Sequence, residues 1–222
     1  MTRCMSDSLD GRAMLISRRN DRLYLIGVRE QAIDDNCARV TFLTTRGDLN
    51  AYTRVSRGMR RAVILLGGDG GEHGFDPDID LLAVRLAELG IGTIRLDYRL
   101  PGDCAQCAID TLLACQYLDD EGIADVALVG WSFGAAVAIA AGSICRTVRG
   151  VAAVCPSDVS ARSTRRLGKK PLLLMCGEQD VVHRKVRGEL ANWISRTLEP
   201  ARAPAFDYAV GAMTGDPSRR FA

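Results

Sequence analysis

DVALVGWSFGAAVAIAAG, residues 125–142, is the stretch on which the reading of this chain turns. It opens as an apolar run of strand length and continues from Ser132 as an alanine-rich segment of helix length, 132–145. Between the two, Gly130-Trp131-Ser132-Phe133-Gly134 matches G-x-S-x-G, a pattern that carries meaning where a strand turns sharply into a helix. On such a turn the serine hydroxyl is pushed above the sheet, and the flanking glycines leave room where a Cβ would collide with neighbouring backbone. The helix that follows directs its positive end at developing negative charge. Phe133 would then supply one backbone N–H of an oxyanion hole, and the glycine loop after the 62–66 strand would supply the second, at Asp69 or Gly70. The competing reading is an ordinary small-residue turn before a helix.

Outward from this segment the same alternation repeats. Upstream lie the apolar run AVILLGG (62–68), the helical pattern DLLAVRLAELG (80–90), the strand-like GTIRLDY (92–98) and the helical DCAQCAIDTLLACQYLDDEG (103–122). Downstream come VRGVAAVC (148–155), KKPLLLMCG (169–177), a helical RKVRGELANWISRTL (184–198) and a weak strand AFDYAVG (205–211). Continuous apolar strands alternating with amphipathic helices predict a mostly parallel sheet with helices on both faces. Before them, LYLIGVRE (23–30) and RVTFLTTRGDLNAYTRV (39–55), the latter broken at Arg46-Gly47-Asp48, predict an antiparallel N-terminal hairpin. The expected organisation is a flexible tail at 1–20 and one α/β domain at 21–222.

From about residue 60 onward, the order of glycine loop, RLDYRLPGD (95–103), VGWSFGAA (129–136) and PLLLMCGEQD (171–180) resembles the α/β-hydrolases of the dienelactone-hydrolase-like, small-esterase type. The resemblance implies an α/β-hydrolase fold, a nucleophile at Ser132 and hydrolysis of an ester or similar acyl bond through an acyl-serine. It also implies a triad acid in a G-x-x-D pattern, matched here by Gly177-Glu178-Gln179-Asp180, so that Asp180 is the carried-over acid and Asp158 a weaker substitute. The order Ser, then Asp, then His is that of this family. Its histidine falls in a Gly-x-x-His loop after the last strand, where this chain reads Gly211-Ala212-Met213-Thr214. Thr214 has no titration near neutral pH, and in another serine hydrolase removal of the base cost about 10⁶ in turnover. His183, three residues after Asp180, is the candidate base, with His73 in the glycine loop as the second choice. A shortened C-terminal end would account for the lost histidine and for the lack of a closing helix.

Composition narrows the alternatives. The 222 residues carry 29 Lys and Arg against 27 Asp and Glu, a balance that argues against a nucleic-acid partner. The N-terminus has no apolar signal region and no 18-residue apolar run occurs, so no membrane association and a cytoplasmic location are expected. Eight cysteines lie partly inside apolar runs and read as reduced thiols; Cys104 and Cys107 read as helix packing rather than a metal site, since two further ligands are lacking. Trp131 is assigned to an acyl-pocket wall or to packing, Arg99 to an ion pair with Asp103 ahead of an anionic substrate, and RRLGKK (165–170) to a solvated loop.

Two readings from other classes compete. Gly68-Asp69-Gly70-Gly71-Glu72-His73-Gly74, with Asp97 ending the next strand, imitates a dinucleotide-binding unit, but its spacing is G-x-G-x-x-x-G and its acids oppose a pyrophosphate. A pseudoenzyme that keeps the scaffold for binding is the other, and Thr214 is its mark. No cofactor is expected; the expected partner is a small acyl substrate.

Overall fold

The computed structural model describes residues 23–68, 77–156 and 164–175. Its elements in chain order are β1 (Leu25–Asp34), β2 (Cys37–Thr44), β3 (Leu49–Arg54), β4 (Arg61–Leu66), α1 (Pro77–Glu88), β5 (Gly92–Asp97), α2 (Cys104–Asp120), β6 (Asp125–Trp131), α3 (Phe133–Ile144), β7 (Val148–Val154) and β8 (Leu172–Met175). The strands form one sheet in the order β1-β2-β3-β5-β4-β6-β7-β8. β1, β2 and β3 run antiparallel to one another, and β3 joins β5 antiparallel. From β5 to β8 every pairing is parallel. The expected α/β architecture, with its mostly parallel sheet and antiparallel N-terminal hairpin, is thus present.

Two faces of burial explain the unbroken apolar strands. Ile64 and Leu66 of β4 and Val126 and Leu128 of β6 pack with Leu112, Leu113 and Leu118 of α2 and Ala135, Ala138 and Ile139 of α3. The alternate residues Val63, Leu65, Ala127 and Val129 pack with Ile79, Ala83 and Leu86 of α1. Side chains two apart along a strand share a face, so central strands covered on both sides must be apolar at every position. Each large aliphatic side chain removed from water in this way stabilises the fold by roughly 1.5–3 kcal/mol.

β1 runs past the expected Glu30 to Asp34, and β2 begins at Cys37. The Asp34 carboxylate accepts the Asn36 N–H at 2.7 Å, fixing the turn. The outer half of β1 is exposed, which is why no apolar alternation announces it; backbone pairing to β2 defines it instead.

At the start of α2, Asp103 caps the helix by accepting the N–H groups of Ala105 and Gln106, each at 3.0 Å. The expected Arg99–Asp103 ion pair is therefore not the one formed. Arg99 pairs with Asp110: its Nε donates to Oδ1 at 2.6 Å, its backbone N–H donates to Oδ2 at 2.9 Å, and Nη1 donates to the Arg46 carbonyl at 3.2 Å. Asp103 spends its carboxylate on two amides, whereas Asp110 sits two turns into α2 against the sheet edge. With side chains 3% and 0% exposed, the Arg99–Asp110 pair ties the β5–α2 connection to the core. Helix 184–198 and strand 205–211 of the sequence reading lie outside the described residues, as does the tail at 1–20.

Candidate active site

β6 ends at Trp131 and α3 begins at Phe133, which leaves one residue, Ser132, to reverse the chain. It does so at φ 51° and ψ −115°, outside the regions open to residues with a Cβ. A conformation of this kind costs of order 1–3 kcal/mol and persists only when the surroundings dictate it. They do so here through the sheet and two glycines. The Ser132 N–H donates to the Val154 carbonyl at 2.9 Å, continuing the β6–β7 ladder one residue beyond the Trp131–Val154 pair. The Ser132 carbonyl accepts the Ala135 N–H at 3.1 Å and so opens the helix.

Gly130 and Gly134 meet across the bend. A Cβ at Gly130 would fall within 3.0 Å of the Gly134 carbonyl and 2.7 Å from the Ala135 nitrogen. A Cβ at Gly134 would press on the carbonyl oxygens of Leu66 and Gly67, with the Leu66 carbonyl carbon at 2.7 Å. All of these are backbone atoms, so the end of β4, the bend and the first turn of α3 can approach only if both positions lack a side chain. The ordinary-turn reading of this segment requires none of this geometry.

The result is a serine side chain that is exposed, makes no capping hydrogen bond, and stands at the amino end of a 12-residue helix. Phe133 is the first helical residue, and its N–H belongs to the set without an intrahelical acceptor. Its ring meets Tyr98 edge-on, with centroids 6.2 Å apart and planes at 86°. Tyr98 follows β5 at the same sheet edge; burial pushes its phenol well above the ordinary value, and its buried hydroxyl has no hydrogen-bond partner among the described residues. Trp131 packs against the Val63–Leu65 side of the sheet, the bland one of its two assignments.

Cys155 was not singled out by the sequence reading. It extends β7 by one residue, placing it beside Ser132 across the ladder, and it is exposed with φ 44°. Its N–H donates to the Met175 carbonyl at 2.7 Å, so the carboxyl ends of β6, β7 and β8 lie along one edge. The hint in the sequence was its place at the end of an apolar run, one residue before Pro156.

Of the sequence-predicted site residues, the structure brings together Gly130, Ser132, Phe133 and Gly134. Asp69, Gly70, His73, Asp158, Asp180, His183 and Thr214 lie outside the described residues. Among the described residues, no group of three or more His, Cys, Asp or Glu side chains could hold a metal ion, and no helix is long and apolar enough to cross a membrane. Cys107 of the Cys104–Cys107 pair is buried and donates its thiol to the Leu100 carbonyl at 3.2 Å; its thiol is pushed up to about 12, mainly by burial.

No family model matches the sequence, and no curated protein matches it. Solved structures do. An alpha-beta serine hydrolase homologue from Coxiella burnetii is similar at a TM-score of 0.57 and 19% identity, over 77% of this chain and 86% of that one. The dienelactone hydrolase from Anabaena variabilis is similar at a TM-score of 0.52 and 16% identity, over 78% of this chain and 99% of that one. At such identities the likeness is one of fold.

Proposed function

On the α/β-hydrolase fold that this chain adopts, we propose that it is a serine hydrolase that cleaves an ester or similar acyl bond through an acyl-Ser132 intermediate. The observation that carries this reading is the bend at Ser132: a residue held at φ 51° by two glycines that tolerate no Cβ, with its hydroxyl exposed at a helix amino end. Strain of this kind is kept where function needs it. In the proposed reaction the Ser132 oxygen attacks the acyl carbon, and the tetrahedral oxyanion receives the Phe133 N–H and a second N–H from Asp69 or Gly70. Collapse releases the alcohol; water then attacks the acyl-serine. Asp180 orients the base, and His183 is that base, with His73 the second candidate. Tyr98 and Phe133 border the acyl group on the β5 side.

The position where the resemblance places a histidine reads Thr214, and this favours one second reading, a scaffold retained for binding with little turnover. A fluorophosphonate probe separates the two, because it bonds only to an activated hydroxyl. The hydrolase reading expects stoichiometric labelling, lost in Ser132→Ala and in His183→Ala. Labelling that survives both His183→Ala and His73→Ala removes those bases from the mechanism, and an unlabelled wild type supports the binding scaffold. We place the protein in the cytoplasm, on its use of cysteines inside apolar runs, with a small acyl compound as partner and no cofactor.

A further inference from the structure

The parallel strands β4, β6, β7 and β8 share one direction, so the sheet edge opposite Ser132 is made by their starts at Arg61, Asp125, Val148 and Leu172. α3 runs back from Ser132 to this edge, and its 12 residues span about 18 Å. The turn 164–170 is fastened to the end of that helix. The Lys170 ammonium donates to the Gly142 and Cys145 carbonyls, and Leu167 is buried beside Gly142. This fastening decides what meets water: between the buried Thr164 and Leu167 and the half-buried Lys170, the side chains of Arg165, Arg166 and Lys169 are exposed. Arg146, just after α3, and Arg149, at the start of β7, are exposed at the same helix end. The whole chain is near balance, with 29 bases and 27 acids, yet residues 142–156 and 164–175 hold these five bases and Lys170 and no acid at all. The acids of this edge belong elsewhere. Asp119, Asp120 and Glu121 end α2, which packs over β4 and β5, and Asp125 starts β6, whereas the turn leads into β8, two strands further along the sheet. Beside the bases Ile144, the last residue of α3, is 61% exposed, and neither segment carries an aromatic residue.

We propose that this edge is a docking surface for a bilayer containing anionic phospholipid. The partner must offer negative charge to Arg146, Arg149, Arg165, Arg166 and Lys169 and an apolar medium to Ile144, and the headgroup boundary of such a bilayer offers both. A single-stranded nucleic acid supplies the charge, but its bases find no ring to stack on in these segments and Ile144 gains nothing. Each base near an anionic surface strengthens partition about 5-fold. Because Arg149 also stands near Asp125, the freer contributions are those of Arg146, Arg165, Arg166 and Lys169. The sequence led to an expectation of no membrane association because no apolar run is long enough to span; a surface that rests on headgroups needs no such run. Docked in this way, the chain holds Ser132 at the far end of α3, facing water. The surface is therefore independent of the chemistry proposed at Ser132.

The test is sedimentation of the full chain with vesicles of phosphatidylcholine alone and of phosphatidylcholine mixed with phosphatidylserine, at about 0.1 M salt, where exposed charges still act over about 10 Å. The expected result is sedimentation with the mixed vesicles only, released as salt is raised to about 1 M, where that reach falls to about 3 Å. Arg165→Gln and Arg166→Gln should each weaken partition about 5-fold, and the triple variant with Lys169→Gln about 100-fold. Ile144→Ser should weaken it without changing its dependence on salt, and Arg29→Gln, exposed on β1 at the other end of the sheet, should leave it unchanged. All of these side chains are exposed, so the variants keep the fold, and the wild-type comparison of the two vesicles stands without them. Equal sedimentation with both vesicles, or none with either, would overturn the proposal; capture on immobilised polyglutamate or single-stranded DNA in the absence of vesicle binding would give the surface to an acidic protein or a nucleic acid instead.

Discussion

Replacing Gly134 with alanine probes the packing that makes the bend. The new Cβ would meet the carbonyl oxygens of Leu66 and Gly67 well inside contact distance, with the Leu66 carbonyl carbon at 2.7 Å. These atoms belong to the end of β4, whose Leu66 is paired to Gly130 in the parallel ladder, so no rotamer change relieves the clash. Either α3 retreats from β4 or the ladder opens at the bend. Overpacking of a well-filled core costs about 1–3 kcal/mol and more where backbone must move, so about 3 kcal/mol is expected. In a chain of this size that is a fall in Tm of roughly 6–12 °C. Gly142, on the same helix, is the internal control: a Cβ there meets Val151 Cγ2 at 2.7 Å and Leu167 Cδ2 at 3.3 Å, side-chain atoms that can turn aside. Its overpacking is partly offset by the gain of about 1 kcal/mol for alanine over glycine in a helix interior. Differential scanning fluorimetry of the two variants at one pH decides the point. A Gly134→Ala protein no less stable than Gly142→Ala would refute the claim that β4, the bend and α3 meet through bare backbone.

Other consequences are as direct. Ser132→Gly removes the hydroxyl and the strain together, while Ser132→Ala removes only the hydroxyl, so the glycine variant should melt higher by an amount matching about 1–3 kcal/mol; equal melting would contradict the strained bend. Asp110→Ala leaves Arg99 buried and unpaired, and chemical unfolding should show a loss of about 3–5 kcal/mol, against little change for the exposed Glu88→Ala. Burial outweighs Arg99 and holds the Asp110 carboxyl above its ordinary value. The folded chain therefore keeps that proton more tightly than the unfolded one, and the stability it brings is complete below the ordinary carboxylate range and is lost as pH rises through the raised value. The Tm of wild type minus that of Asp110→Asn should accordingly shrink with rising pH in the acid range; a difference that grows would reverse the sign.

The sequence made the central sheet plain for a physical reason. β4 and β6 are covered on both faces, so each of their positions had to be apolar, and a run such as Ala62–Leu66 has few other destinations. The Gly130–Gly134 spacing was equally legible, because only backbone fits between the bend and β4. Interactions that depend on tertiary placement were not. Asp103 stands four residues after Arg99 and looked like its partner, yet a cap residue is occupied by helix amides, and the true partner comes from the sheet-facing side of α2. Trp131 fell to packing because alternate residues of β6 must face α1.

Acyl transfer to Ser132 is the most direct measurement of all. The wild-type chain is mixed with p-nitrophenyl acetate, quenched in acid within the first turnover, and mapped by peptide mass. The account predicts one acetyl group on the peptide carrying Ser132, absent in Ser132→Ala. Acetyl found only on cysteine peptides, or undiminished in Ser132→Ala, would contradict it.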